Sequence, residues 1–349
     1  MIVIGIDAHK RSHTAVAVDE RSRKLAEKTT GTTPAHHREL LSWAQELGGG
    51  EVLWAIEDVR HLSRQLEIDL LVAGQSVVRV PTKLMAHARD FARTYGKSDP
   101  IDALAVARAA LREPNLPTAR LDGPERDLRL LVDHREDLVN ERTRICNRLH
   151  WHLHELDPSK DVGDKMLGRY RVLDELTAWL GSQSRSTVRR IAAELVDDIR
   201  RLTIRIKDLE KEITAMVNNM APTLVGLDGI GALSAAKILG EVAGIDRFDD
   251  KAKFAAHNGT APMPVWSSNN VRVRLRRTGN RQLNCAIHRM AITQMRMNNE
   301  AKAYLEKRMA NGNTKTEAIR SLKRRLSDVV YRALTTDSNQ QASTTPVAA

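Results

Sequence analysis

Four carboxylates have the type and placement to hold a divalent cation: Asp7, Glu57, Asp99 and Asp102. Asp7 closes an apolar run in Gly5-Ile6-Asp7-Ala8-His9-Lys10, and Glu57 closes another in Trp54-Ala55-Ile56-Glu57-Asp58. A charged group ending an apolar strand is awkward to pack unless it points into a site at the sheet edge. Asp99 and Asp102 stand at i and i+3 in Gly96-Lys97-Ser98-Asp99-Pro100-Ile101-Asp102-Ala103, on one face of a helix start. Taken alone, that pair is ordinary helix chemistry: Asp99 as N-cap, Pro100 at the first helical position, Asp102 complementing the dipole. Joined to the two strand-end acids, the pair takes on a second meaning. Four convergent acids can hold two cations about 3.5–4 Å apart, which stabilise the attacking and leaving oxygens of a phosphoryl displacement. All-oxygen ligands indicate Mg²⁺ or Mn²⁺. Asp58 is set aside, because strand alternation turns it to the opposite face from Glu57.

The elements that must carry these acids follow from residue patterning. Met1–Ile6, His13–Val18 and Leu25–Thr30 read as three consecutive strands, the first two joined as a hairpin. A helix opens at Thr33-Pro34 and ends at Gly48-Gly49-Gly50, followed by a strand over Glu51–Glu57. A helix over His61–Ala73 and a strand over Gln75–Val80, stopped by Pro81, complete the series. Three strands, then helix–strand–helix–strand, is the order of an RNase-H-like α/β domain. From Arg126 the chain turns helical and charged. Leu195, Ile199, Leu202, Ile206, Leu209, Ile213 and Met216 alternate steps of four and three. That is a heptad seam, read either as a coiled coil or as an amphipathic helix on a core. A coil pairing between chains would make the protein at least a dimer.

Ala221-Pro222 breaks this helix. Leu227-Asp228-Gly229-Ile230-Gly231 then reads as a hairpin between two short helices. Gly229 and Gly231 would let backbone N–H groups approach a phosphate of duplex DNA; the alternative is a plain glycine turn. Trp54 and Trp266 offer stacking planes, with core packing the better role for Trp54. The last residues, 335–349, are rich in Thr, Ser, Gln and Ala and are expected to be a disordered tail.

Composition limits the class. The chain has 349 residues, 55 Lys plus Arg against 44 Asp plus Glu, and net charge +11. Residues 251–299 contain no acid but do contain Lys251, Lys253, Arg272, Arg274, Arg276, Arg277, Arg281, Arg289 and Arg296. A stretch of one sign suits phosphate rather than an ordinary mixed surface. Cys146 and Cys285 form neither a disulfide framework nor a zinc pattern. There is no apolar run long enough to span a membrane, and no basic leader precedes the N-terminal apolar run. The expected location is the bacterial cytoplasm, at the nucleoid.

The motifs Gly5-Ile6-Asp7-Ala8-His9-Lys10 and Lys97-Ser98-Asp99-Pro100-Ile101-Asp102-Ala103, with a strand-end Glu57 between them, resemble the DEDD transposases of bacterial insertion sequences. Piv-type DNA invertases are relatives of these. The C-terminal region matches in the same order: Gly226-Leu227-Asp228-Gly229-Ile230-Gly231, Asn258-Gly259-Thr260-Ala261-Pro262 and Arg277-Thr278-Gly279-Asn280-Arg281-Gln282-Leu283. The resemblance covers about residues 1–335. It implies a RuvC-like catalytic domain over 1–124 with Asp7, Glu57, Asp99 and Asp102 as metal ligands. It implies a helical coiled-coil region over 125–221, a C-terminal transposase domain over 222–335 carrying a serine, and the tail from 336. The serine would attack DNA and form a covalent phosphoserine. A structured "bridge" RNA encoded by the element would choose donor and target DNA, and the protein would act as a dimer or tetramer. Nucleic-acid contacts are expected from Lys10, Gly229, Gly231, Arg272, Arg274, Arg276, Arg277, Asn280 and Arg281.

The serine motif departs from the family pattern of Ala-Pro, a short spacer and Ser-Ser-Gly. Here Ala261-Pro262-Met263-Pro264-Val265-Trp266-Ser267-Ser268-Asn269 lacks the glycine. Alignment without a gap puts Ser267 on the nucleophile, and alignment on the serine pair puts Ser268 there. On residues alone, this segment is a polar turn between apolar and basic stretches. Three other classes compete: a RuvC-like hydrolytic nuclease needing no serine, a non-catalytic nucleic-acid scaffold, and a sugar-kinase or actin-like ATPase. The last lacks the glycine-rich phosphate loops it would need after its later strands.

Overall fold

Alternating β-branched and small residues build a five-stranded sheet at the N-terminus. The strands are β1 (Ile2–Ala8), β2 (His13–Val18), β3 (Lys24–Thr30), β4 (Val52–Glu57) and β5 (Ser76–Val80), in the order β3-β2-β1-β4-β5. β1 pairs antiparallel with β2 and parallel with β4, β2 antiparallel with β3, and β4 parallel with β5. The parallel connections run through α1 (Pro34–Glu46) and α2 (Arg60–Val72), as crossovers must. This computed structural model describes residues 1–344 except 48–50, 59, 83, 85–97, 114–115, 164, 268–269 and 276–278, with side chains left aside at 60, 265–267, 270–275 and 344. Residues 1–121 and 122–349 divide into two compact units.

The sheet of the first unit is covered on both faces, and the period of two decides which residues go where. Ile4, Ile6, Trp54, Ile56 and Val77 pack with Leu40 and Ala44 of α1 and Leu66 and Leu70 of α2. Val3, Val16, Val18, Ala55 and Val80 pack against α3 (Asp99–Arg112), whose buried face is mostly alanine. Trp54 is fully buried, its Nε1 donating to Gln75 Oε1 at 3.0 Å, so core packing is its role. α3 lies unusually close to β1. A Cβ on Gly5 would stand 2.1 Å from the Ala103 carbonyl oxygen and 2.4 Å from the Ala107 nitrogen, so only glycine permits this approach.

In the second unit, α4 (Pro124–Leu156) and α6 (Thr187–Met220) lie antiparallel: Arg135 bonds Glu210, and Arg142 donates to Thr203 at 3.2 Å. The heptad seam is filled from within the chain. Leu195, Ile199, Leu202 and Ile206 are buried against Leu138, Ile145, Leu149 and Leu153 of α4 and Leu173 and Leu176 of α5 (Tyr170–Ser182). It therefore offers no argument for a dimer.

The chain continues through α7 (Pro222–Val225), α8 (Ala232–Val242), α9 (Lys251–His257), β6 (Pro262–Ser267), β7 (Asn270–Leu275), α10 (Arg281–Met297), α11 (Asn299–Ala310) and α12 (Lys315–Thr344). The middle and C-terminal regions, expected as separate domains, share a core: Leu128, Val132, Ile213 and Val217 pack with Ile238, Ile287, Met290 and Val330. The expected disordered tail is corrected through residue 344. α12 carries Asp337, 3% exposed, whose carboxylate accepts from Thr223 N at 2.9 Å and Leu224 N at 3.0 Å. Those N–H groups belong to the first turn of α7 and have no partner within it, which is why a polar-looking segment is held.

Candidate active site and nucleic-acid interface

The four acids are placed by the two faces just described. Asp7 has the parity of Val3 and Gly5 on β1, and Glu57 the parity of Ala55 on β4, so both lie on the face that α3 covers. Ile6 and Ile56 are aligned partners, which sets Asp7 and Glu57 side by side at the strand ends. α3 brings Asp99 and Asp102 in its first turn to the same face. Asp58 falls beyond the strand, exposed, its N–H donating to the Val80 carbonyl at 3.0 Å.

One expectation at the helix start is corrected. Ser98, not Asp99, is the N-cap, with extended backbone (φ −150°, ψ 150°), and its carbonyl accepts from Ile101 N at 2.9 Å and Asp102 N at 3.1 Å. Asp99 is the first helical residue, so its carboxylate is not consumed in capping. The sequence Ser98-Asp99-Pro100 offers two capping residue types in a row, and only the fold selects between them.

Asp7 shows what the convergence costs. Its side chain is 9% exposed, and Oδ2 is buried with no hydrogen-bond partner. Burial pushes its carboxyl up to about 6, His9 opposes the shift, and the charges of Asp102, Asp99 and Glu57 add to it. A carboxylate in this position is stabilised by bringing in positive charge. His9, absent from the four expected residues, is beside it: Nδ1 lies 3.6 Å from Asp7 Oδ2. Ligand atoms of Asp7, His9 and Asp99 all lie within 4.8 Å of one another. An orphaned buried oxygen among mutually repelling acids fits a divalent cation.

In the second unit, β6 and β7 form an antiparallel hairpin with Ser267 opposite Asn270. Ser267 ends β6, while Ser268 lies outside the described residues. Arg272 and Arg274 take alternate positions on β7, opposite Val265 and Met263. Arg276 and Arg277 lie outside the described residues. Asn280 Oδ1 caps α10 at Leu283 N (2.9 Å) and its Nδ2 donates to Glu241 (2.6 Å), so its side chain is held at the helix start. Arg281 and Lys10 are exposed.

The glycine hairpin lies between α7 and α8. Gly229 adopts φ +81°, and a Cβ there would meet the Met290 carbonyl at 3.0 Å, so its glycine serves the turn and its seat on α10. Gly231 is the N-cap of α8 and faces open space. Both line a groove of about 550 Å³ with Ser234, His288, Arg289 and Thr293. Arg281, Arg289 and Arg296 are exposed on α10, opposite its buried Leu283, Ile287 and Met290. This puts one basic stripe along about 22 Å of helix. Arg289 was visible in the acid-free stretch, but its place beside the glycines was not.

With a cluster of acids in one unit and a basic, glycine-turn helical array in the other, comparison with known proteins defines the class. Residues 4–158 match a transposase model of the DEDD type found in IS110, and residues 221–306 match the model of the IS116/IS110/IS902 transposase family. The chain is 29% identical to the insertion element IS116 uncharacterized 44.8 kDa protein of Streptomyces clavuligerus, over 95% of this chain and 94% of that one. It is 25% identical to the insertion element IS900 uncharacterized 42 kDa protein of Mycobacterium paratuberculosis, over 99% and 98%. It is also 25% identical, over 54% of this chain and 52% of the other, to the transposase for insertion sequence element IS1111A of Coxiella burnetii. Thermus thermophilus RuvC in complex with Holliday junction substrate is 15% identical, covering 34% of this chain and 99% of that one, with a TM-score of 0.27. The chain is a DNA-processing enzyme of the transposase class. It belongs to the IS110 family of insertion-sequence transposases. Among the described residues, no helix is long and apolar enough to cross a membrane.

Proposed function

We propose that this transposase cuts and rejoins DNA by phosphoryl transfer, with Asp7, Glu57, Asp99 and Asp102 holding divalent metal and Ser267 as nucleophile. Ser268 is the alternative nucleophile. The observation that carries the reading is the buried Asp7 oxygen, without a hydrogen bond, among acids of β1, β4 and α3. Bound Mg²⁺ or Mn²⁺ would supply Lewis-acid stabilisation of charge on a phosphodiester and help to ionise the attacking hydroxyl. The serine Oγ attacks phosphorus, the bond to the 3′ oxygen breaks, and that oxygen takes up a proton to leave a 3′-hydroxyl. The DNA 5′ end is then held as a phosphoserine ester. Attack of another strand's 3′-hydroxyl on that ester releases the serine, so the number of ester bonds is conserved and no nucleotide triphosphate is needed. A serine hydroxyl is a weak nucleophile without such activation, which makes the acid cluster a requirement.

The basic stripe of α10 and the groove at Gly229 and Gly231 fit the phosphate backbone, which positions nucleic acid without reading sequence. The reading assigns sequence choice to a structured RNA encoded by the element. It also assigns the work to a dimer or tetramer at the bacterial nucleoid. A covalent-trapping experiment tests the chemistry. Protein, Mg²⁺, labelled donor DNA and RNA from the flanks of the element are incubated and run on a denaturing gel. A labelled protein band that disappears in Asp7→Ala and in one of Ser267→Ala or Ser268→Ala is the expected result. Cleavage with no such band, indifferent to both serines, would leave a RuvC-like hydrolytic nuclease instead.

A further inference from the structure

We infer that His9 is a nitrogen ligand of the metal held at Asp7 and Asp99, and that it shifts the site toward Mn²⁺ relative to an all-oxygen site. This rests on the reading of the four acids as metal-binding and deepens it by naming a ligand outside that set. His9 lies just past the end of β1, two residues after Asp7, and its Nδ1 comes within 3.6 Å of Asp7 Oδ2. Its backbone is fixed there: His9 N donates to the Ser12 carbonyl at 2.9 Å, and Ala8 pairs with His13 across the hairpin.

His9 and Asp7 stand at ion-pair distance, close enough that one cation could take a ligand atom from each. His9 Nδ1 and Asp7 Oδ2 are 3.6 Å apart, too far for a hydrogen bond. Two ligands each about 2.1 Å from one ion are separated by about 3 Å when adjacent and about 4.2 Å when opposite. The value of 3.6 Å is about 0.6 Å from either, a side-chain adjustment within reach of a half-exposed His9, and Asp99 completes a group within 4.8 Å. Asp7 Oδ2 is buried without a hydrogen-bond partner, and its charge contact to His9 is a long one. Divalent first-row metals accept imidazole nitrogen, Mn²⁺ the least strongly of them, whereas Mg²⁺ prefers oxygen. One histidine among carboxylates therefore favours Mn²⁺ over Mg²⁺ by more than four carboxylates would.

The test uses the full chain and Mn²⁺ alone, with binding followed by calorimetry and the bound ion examined by pulsed electron paramagnetic resonance. Wild type is expected to show a ¹⁴N coupling. His9→Ala and His9→Gln are expected to lose that coupling and to bind Mn²⁺ at least about tenfold more weakly. His9→Gln, which offers an oxygen instead, should keep most of its Mg²⁺ affinity. His9 is half exposed, so both variants fold, as thermal melting would verify. Mn²⁺ bound without ¹⁴N coupling, at equal affinity in His9→Ala, overturns the role of His9 and leaves the acid site standing. Binding that is undiminished in Asp7→Asn overturns the acid site itself, and the inference falls with it.

Discussion

At the scale of single residues, Asp7 sits where function and stability conflict. Its folded carboxyl is pushed up to about 6 from an ordinary 3.8 by burial and by neighbouring acids. The folded state thus holds a proton more tightly than the unfolded one between those values, and stability falls as pH rises through the window. Asp7→Asn removes that penalty. In chelator at pH 7 it should melt higher than wild type, by on the order of 1 kcal/mol, with the gap closing by pH 4. The same variant should lose Mn²⁺ binding and DNA cleavage. A variant no more stable than wild type at pH 7 would mean that the cluster is better solvated than its geometry indicates. The acids were legible in the sequence because charged residues ended apolar runs. His9 was not, because a polar residue just past a strand is ordinary, and only distance gives it meaning.

At the scale of elements, the acid cluster depends on how closely α3 approaches β1. Gly5→Ala forces a Cβ into the backbone of Ala103 and Ala107. The expected result is a loss of about 2–4 kcal/mol in denaturant unfolding, from overpacking against a rigid helix backbone. Because the helix carries Asp99 and Asp102, Mn²⁺ affinity should fall even in molecules that remain folded; unchanged affinity would show that the helix slides without disturbing its first turn. The order of strands and helices along the chain could be read from their patterning, since periodicity is a local property. The partner of the heptad seam could not be, because an intrachain helix and a second copy require the same pattern. Nor could the helix cap be assigned, as Ser98 and Asp99 are both capping residue types.

At the scale of the whole molecule, the two units should respond differently to acid. In residues 122–349, burial and Arg247 press His257 down to about 4, and burial also lowers His288. An unfolded histidine binds protons below about 6.5, so stability present above that pH is lost as the pH falls toward 4. In residues 1–121, His13 is likewise lowered to about 4, but Asp7 works in the opposite sense over nearly the same range. Among the described residues, the first unit sets one such carboxyl against one histidine, while in the second Asp133, raised by burial, opposes two. Limited proteolysis at pH 5 should cut within residues 122–344 first, and His257→Gln should delay those cuts, by on the order of 1–2 kcal/mol. Simultaneous cleavage of both units would refute this balance.

The last helix also has an evolutionary consequence. Asp337 satisfies two N–H donors of α7, and Gln341 Nε2 donates to the Met220 carbonyl at the end of α6, at 2.6 Å. The joint between the long hairpin and the glycine turn is thus closed by residues lying beyond every recognisable motif. Copies of mobile genes decay by frameshift as well as by loss of catalytic residues. A copy truncated shortly before Asp337 would keep all its acids, serines and glycines, yet leave that joint unlatched. A survey of motifs alone would count it as intact.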